Sequence, residues 1–123
     1  MAGGAAWSQI CKAYDIDARD RRGNGGELVG GYVLADVTWT DEAGRRSYLE
    51  LLGPTLKAYE GEMVAADRGA QVMEGEWQPG EITVLIAFPT RDAALSWYQS
   101  DEYRQALKIR SRSSRSRLIV FGD

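Results

Sequence analysis

Polar and apolar positions along this chain follow two periods in turn. The segment GYVLADVTW, Gly31 to Trp39, is short and rich in β-branched and aromatic residues, which predicts a first strand. Thr40-Asp41-Glu42 then supplies an N-cap and an acidic first turn. A helix is expected to follow, with Tyr48, Leu49, Leu51 and Leu52 among its apolar positions. Gly53-Pro54 is expected to break or kink it, with Pro54 opening a continuation that carries Leu56 and Tyr59 and ends at Glu60-Gly61.

A second strand is predicted at Glu62 to Ala66, continuing beyond Asp67-Arg68-Gly69 through Gln71 to Glu74. Glu76 to Gly80 (EWQPG) has the composition of a hairpin turn, and Glu81 to Phe88 (EITVLIAF) is the clearest strand of all. Pro89 stops that strand, and Thr90 caps a helix carrying Ala94, Leu95, Trp97 and Tyr98. Ser100-Asp101-Glu102 restarts a helix with Tyr103, Ala106, Leu107 and Ile109. After the run Arg110 to Arg117 a last strand is expected at Leu118 to Phe121. The order is βαββαβ, an α+β, ferredoxin-like arrangement with both helical segments on one face of the sheet.

The other face of such a sheet should be polar at every second position, and here it is not. Ile82, Val84, Ile86 and Phe88 share one face of their strand, and Leu85 and Ala87 sit on the other with Thr83. Leu118 and Val120 oppose Ile119 and Phe121, while Val33, Ala35 and Val37 oppose Tyr32 and Leu34. An uncovered apolar face is a sticky patch, so a second copy packed sheet on sheet is the expected cover; residues 1–28 folding over it are the alternative.

Composition narrows the chemistry. The 123 residues suit one domain, here 29–123, behind a Gly-, Ala- and charge-rich leader at 1–28 in which RRGNGG continues no regular element. A net charge of −3 argues against non-specific nucleic-acid binding. No apolar run is long enough to span a bilayer and the start is a poor signal peptide, so a cytoplasmic location is the default expectation. The single cysteine, Cys11, excludes a disulfide within the chain. There is no histidine, which removes histidine triads, histidine bases and histidine metal or haem ligands. No cofactor motif is present either: the glycines at 23, 25 and 26 follow no strand and open no helix. No cofactor or metal is therefore expected, and acid–base chemistry falls to Asp, Glu, Tyr, Lys or Cys11.

Three stretches carry a family resemblance: GYVLADVTWTDEAGRRSY, the block VMEGEWQPGEITVLIAFPTRDAALSWYQSDEYRQAL, and the terminal strand. The block is the specific part, with Glu74-Gly75, Trp77, Pro79, Phe88-Pro89, Ala94, Trp97, Ser100 and Tyr103 in characteristic spacing. About three-quarters of the chain thus resembles DUF1330, a family of short, mostly bacterial proteins known as a domain of unknown function. The family is placed in the dimeric α+β barrel superfamily, beside antibiotic-biosynthesis monooxygenases. The resemblance implies the fold and a homodimer. Members often carry Arg where this chain has Asp36 and Ala66, so the resemblance implies no anionic ligand at those positions.

Several residues stand out as candidates. Asp36 sits mid-strand between Ala35 and Val37, where an acid is costly unless paired. It is either a general base in a pocket or half of an ion pair with an Arg from a neighbouring strand or the partner copy. Glu74, beside Trp77 at the hairpin, either lends a carboxylate to a pocket rim or satisfies turn N–H groups; Trp77 either stacks on a ligand or packs the hairpin. Tyr48, Trp97, Tyr98 and Tyr103 form an aromatic helix face that suits either a core or a small-molecule pocket. Tyr32, on the strand face of Asp36, is expected to share that pocket. Arg110, Arg112, Arg115 and Arg117 read as a solvated helix end in preference to an anion site.

The leading expectation is a small cofactor-independent enzyme of specialised, antibiotic-type metabolism. It would hold an apolar, aromatic or polyketide-like molecule between sheet and helices. Asp36 and Glu74 would be catalytic, and Tyr32, Tyr48, Trp77, Trp97 and Tyr103 would bind substrate. Isomerisation, cyclisation or elimination by proton transfer comes first, cofactor-free oxygenation next. The alternative is a non-catalytic ligand-binding or scaffolding homodimer.

Overall fold

The computed structural model describes residues 30–123. The leader expected at 1–28, and Cys11 with it, lies outside the described residues. Strand β1 is Gly31–Trp39. Helix α1, Glu42–Ala58, follows, with Asp41 as N-cap accepting a hydrogen bond from the Gly44 N–H at 3.1 Å. Strands β2 (Glu62–Asp67) and β3 (Ile82–Phe88) come next. Helices α2 (Arg91–Gln99) and α3 (Asp101–Ser113) lead into β4, Ser114–Gly122. The four strands run β2-β3-β1-β4, each pair antiparallel. This is the ferredoxin-like α+β fold that the alternation of strand and helix patterns predicts.

Three expectations need correction. Helix α1 is continuous through Gly53-Pro54. Pro54 lies on the exposed side, where the carbonyl freed at Glu50 meets water, while Tyr48, Leu52, Thr55 and Leu56 hold the same helix to the core. Strand β2 stops at Asp67 and does not resume: residues 68–81 form an irregular, mostly exposed connection, because no neighbouring strand remains for them to pair with beyond Thr83. Strand β4 begins at Ser114, four residues earlier than expected, because Ser114 to Arg117 pair in register with Asp36 to Trp39 of the central strand. Backbone pairing there outweighs a sequence of Ser and Arg with little strand preference of its own.

Ser100 joins the two C-terminal helices. Its Oγ donates to the Trp97 carbonyl at 2.8 Å and accepts from the Tyr103 N–H at 3.0 Å, closing α2 and opening α3 within one residue. The two rings it flanks, Trp97 and Tyr103, are both fully buried, with centroids 4.1 Å apart. The core lies between sheet and helices, around Val33, Leu52, Leu56, Ile86, Phe88 and Trp97. Helix α1 leans on α3 more than on the sheet. The backbones of α1 and α3 approach closely at Gly44, where a side chain would collide with Ser113. No helix among the described residues is long and apolar enough to cross a membrane.

Candidate functional site

The lean of α1 away from the sheet leaves a cavity of about 90 Å³. Val33, Leu52, Ile86 and Trp97 supply apolar wall, and Tyr48 and Arg110 supply polar atoms. Arg45 also borders it, but that side chain is paired with Glu42 at 3.0 Å. No Asp or Glu is among the lining residues.

The polar end is a linked set. Arg110, only 5% exposed, donates from Nε to the Tyr103 hydroxyl at 3.2 Å and from Nη1 to Ser116 Oγ. The Tyr103 and Tyr48 hydroxyls are 2.8 Å apart. Either hydroxyl can be the donor in that bond, and Tyr103, sealed from solvent, also accepts from Arg110. Tyr48 presents this bonded hydroxyl on the cavity wall. Burial, and after it the adjoining Tyr103 hydroxyl, push the Tyr48 phenol well above its ordinary value, so it stays protonated at any physiological pH. The Arg110 guanidinium lies 6.0 Å from the Tyr48 ring centre, a cation–π distance. Among the described residues no carboxylate lies within ion-pair reach of Arg110. Trp97, by contrast, is saturated: its indole N–H donates to Thr55 Oγ1 at 3.1 Å, and Thr55 donates on to the Leu52 carbonyl at 2.8 Å.

The opposite face of the sheet holds a different polar group. Asp36 and Arg117 face each other across β1 and β4, with Nη2 to Oδ2 at 2.8 Å and Nε to Oδ1 at 3.4 Å. Arg117 also donates to the Gln78 carbonyl at 2.9 Å, tying the 68–81 connection to the sheet. A depression of about 180 Å³ beside this pair is lined by Leu34, Trp77, Thr83 and Ile119. The Thr83 hydroxyl is buried there without a partner in the described chain. Around it the face is apolar and open: Ile119 is 56% and Phe121 42% exposed, and Tyr32 packs on Phe121 at 5.5 Å.

The residues expected to share one site therefore divide between two faces. Tyr48, Trp97 and Tyr103 lie on the helix side, with Tyr48 and Trp97 on the cavity wall and Tyr103 behind them. Tyr32 and Asp36 point to the open face, because positions 32 and 36 have the opposite parity to Val33, Ala35 and Val37 on β1. Trp77 and Glu74 are exposed in the 68–81 connection. A single cavity enclosing Tyr32, Asp36 and Trp97 is thus excluded by the pleat of one strand. Of the two expectations for Asp36, the ion pair with a neighbouring-strand Arg is the arrangement observed. Arg110 is not a solvated helix end, since it follows Tyr103 and Ala106 on the buried stripe of α3. That spacing was the available signal for it; Thr55 and Ser116 gave none.

The family model for the domain of unknown function DUF1330 matches residues 30–122. No curated protein matches the chain. A crystal structure of a protein of unknown function from Rhodopseudomonas palustris is 18% identical, covering 77% of this chain and 82% of that one, with a TM-score of 0.62. A dimeric ferredoxin-like protein of unknown function from Thermobifida fusca is 16% identical over 77% of this chain and 92% of its own, with a TM-score of 0.51. A dimeric protein of ferredoxin-like fold from Bacteroides fragilis is 13% identical over 76% and 96%, also at 0.51. At these identities the structures bear on the fold, and they agree with it. The family match spans most of the chain, and the chain belongs to the DUF1330 family.

Proposed function

We propose that this protein is a homodimer whose subunits each bind a small, mostly apolar molecule in the cavity between sheet and helices. The carrying observation is that cavity: apolar walls, with hydrogen-bond donors confined to one end. Tyr48, Trp97 and Arg110 are the residues assigned to the ligand. Pairing through the open sheet face is supported by the exposure of Ile119 and Phe121 and by the dimeric form of the relatives from T. fusca and B. fragilis. In this reading Asp36 and Arg117 belong to the interface and not to the chemistry.

An enzymatic role is favoured by one feature. The Tyr48 O–H and the Arg110 guanidinium would stabilise charge developing on a substrate oxygen. With no carboxylate on the cavity wall, the fitting version is one in which the protein orients an electron-rich substrate and the substrate supplies most of the reactivity. Isomerisation with Asp36 and Glu74 as acid and base draws no support from the cavity lining, which includes neither residue.

Benzene tests the binding reading. It is expected to shift the Trp97 indole N–H resonance saturably in the wild-type protein and to leave it unmoved in Ala35→Leu, which fills the cavity. Overpacking of this kind costs about 1–3 kcal/mol, so the wild-type arm stands alone if the variant fails to fold. An unmoved wild-type resonance, or an equal shift in a folded variant, overturns the cavity reading. Sedimentation tests the dimer: wild type should be dimeric at micromolar concentration and Ile119→Arg monomeric, and a monomeric wild type overturns the pairing.

A further inference from the structure

We propose that the molecule held in this cavity is an organic anion, an apolar body bearing a carboxylate-like head that docks between the Tyr48 hydroxyl and the Arg110 guanidinium. This rests on the cavity reading above and adds the ligand's chemical class.

The case is a count of donors against acceptors. A guanidinium cannot shed its proton in a protein, so Arg110 is charged wherever it sits. It is 5% exposed, and a buried charge is costly unless a counter-charge or a full set of hydrogen bonds compensates it. Its bonds to Tyr103 and Ser116 occupy Nε and Nη1, both to neutral hydroxyls. Neither bond uses Nη2, and the guanidinium also bears on the nearby Tyr48 hydroxyl, opposing the rise of its pKa. Nη2 is not among the sealed, unpartnered side-chain atoms, of which Thr83 Oγ1 is the only one described. Nη2 therefore borders open space, and Arg110 is part of the cavity wall.

Tyr48 adds a hydroxyl at the same end, hydrogen-bonded to Tyr103 and able to donate or accept. The one full charge at that end is positive, and no carboxylate on the wall answers it. A ligand group that only donates would face a like partner; a group that accepts and carries negative charge compensates Arg110. Hydrogen bonds from a charged donor to a carboxylate are roughly twice as strong as neutral ones, and a guanidinium is shaped for two such oxygens. The remaining wall is hydrocarbon and indole, which selects an apolar body. The other basic side chain on the wall, Arg45, is partly solvated and shares Glu42 with Arg46, so its charge is compensated without a ligand, whereas that of Arg110 is not.

Benzoate, benzamide and benzene, with the same ring and different heads, separate the possibilities. Titrated into the full-length protein, benzoate should move the Arg110 Nε–H and Trp97 indole resonances saturably, at least tenfold tighter than benzamide. Arg110→Lys, which keeps the charge and loses the planar fork, should weaken benzoate about tenfold. Benzamide or benzene binding as tightly as benzoate would overturn the anion assignment while leaving the cavity reading intact. No shift with any of the three would remove both. If Arg110→Lys does not fold, the benzoate–benzamide contrast in wild type decides alone.

Discussion

Two arginines seven positions apart, Arg110 and Arg117, show how one sheet separates two kinds of charge. Arg117 stands on the open face with its side chain 61% exposed, yet it is the one that holds a carboxylate, Asp36. Arg110 is sealed behind the sheet and holds only hydroxyls. Water would have compensated Arg117 at little cost, and nothing in the described chain neutralises Arg110. Pairing is therefore found where the protein needs it to shelter a buried acid: the Asp36 side chain is 10% exposed and requires the cation. The unpaired charge is found beside a cavity. The lesson is that a strand-central acid marks a structural pair here, and an unneutralised buried cation marks the binding end.

The sharpest way to break this comparison is to ask whether the helix side is a packed core or a site held open by packing. Trp97 is fully buried and its N–H is bonded to Thr55, so Trp97→Ala removes a large ring and leaves Thr55 Oγ1 without its donor. A loss of about 3–5 kcal/mol in urea unfolding is expected. A loss under 1 kcal/mol would mean that the ring is dispensable wall and that the core lies elsewhere.

The open-face pair comes next in size. Arg117→Met leaves the Asp36 carboxylate mostly buried and unpaired, with an expected cost of about 1–3 kcal/mol at fixed protein concentration. Asp36→Asn keeps a side-chain oxygen as acceptor for Arg117, which also bonds the Gln78 carbonyl, and should cost about 1 kcal/mol or less. The order of the two losses is the content of the prediction. Were Asp36→Asn the more damaging, the acid would be doing more than satisfying Arg117, and its reading as a structural partner would fall.

Much of this arrangement was legible in the sequence, and the failures have physical causes. The short β-branched and aromatic runs GYVLADVTW and EITVLIAF were legible as strands because such residues fit a pleated sheet that is apolar on both faces. Thr90 and Ser100 gave helix starts because a hydroxyl at an N-cap does a local job that needs no tertiary context. The stripe Tyr103, Ala106, Arg110, Ser113 was misread at its third member because a cation near a helix C-terminus has a sufficient local explanation in the helix dipole. Its burial depends on β4 crossing behind it, which is not a local fact. Grouping Tyr32 and Asp36 with Trp97 failed for a related reason. Parity puts Tyr32 and Asp36 together, but which face the helices cover is decided by the whole sheet. Glu74 and Trp77 looked like a site because they are distinctive residues; they lie exposed in a connection that pairs with no strand and meets the sheet through the Arg117–Gln78 bond.

The smallest effect tests the proton assignment within the buried cluster. The Tyr48 phenol is held above its ordinary value of 10.0 by burial first and by Tyr103 second. Below pH 10 both the folded and unfolded chains keep this proton, so its contribution is fully present. Above pH 10 the unfolded chain releases the proton while the folded chain retains it, and stability falls as pH rises. One such group is worth at most about 1.4 kcal/mol per pH unit, so wild type should lose about 1 kcal/mol more than Tyr48→Phe between pH 9 and pH 11. Urea melts of the two proteins across this range give the measurement. Parallel curves would mean that the Tyr48 hydroxyl ionises as freely folded as unfolded. It would then be no dedicated donor, and the oxygen-accepting end of the cavity would rest on Arg110 alone.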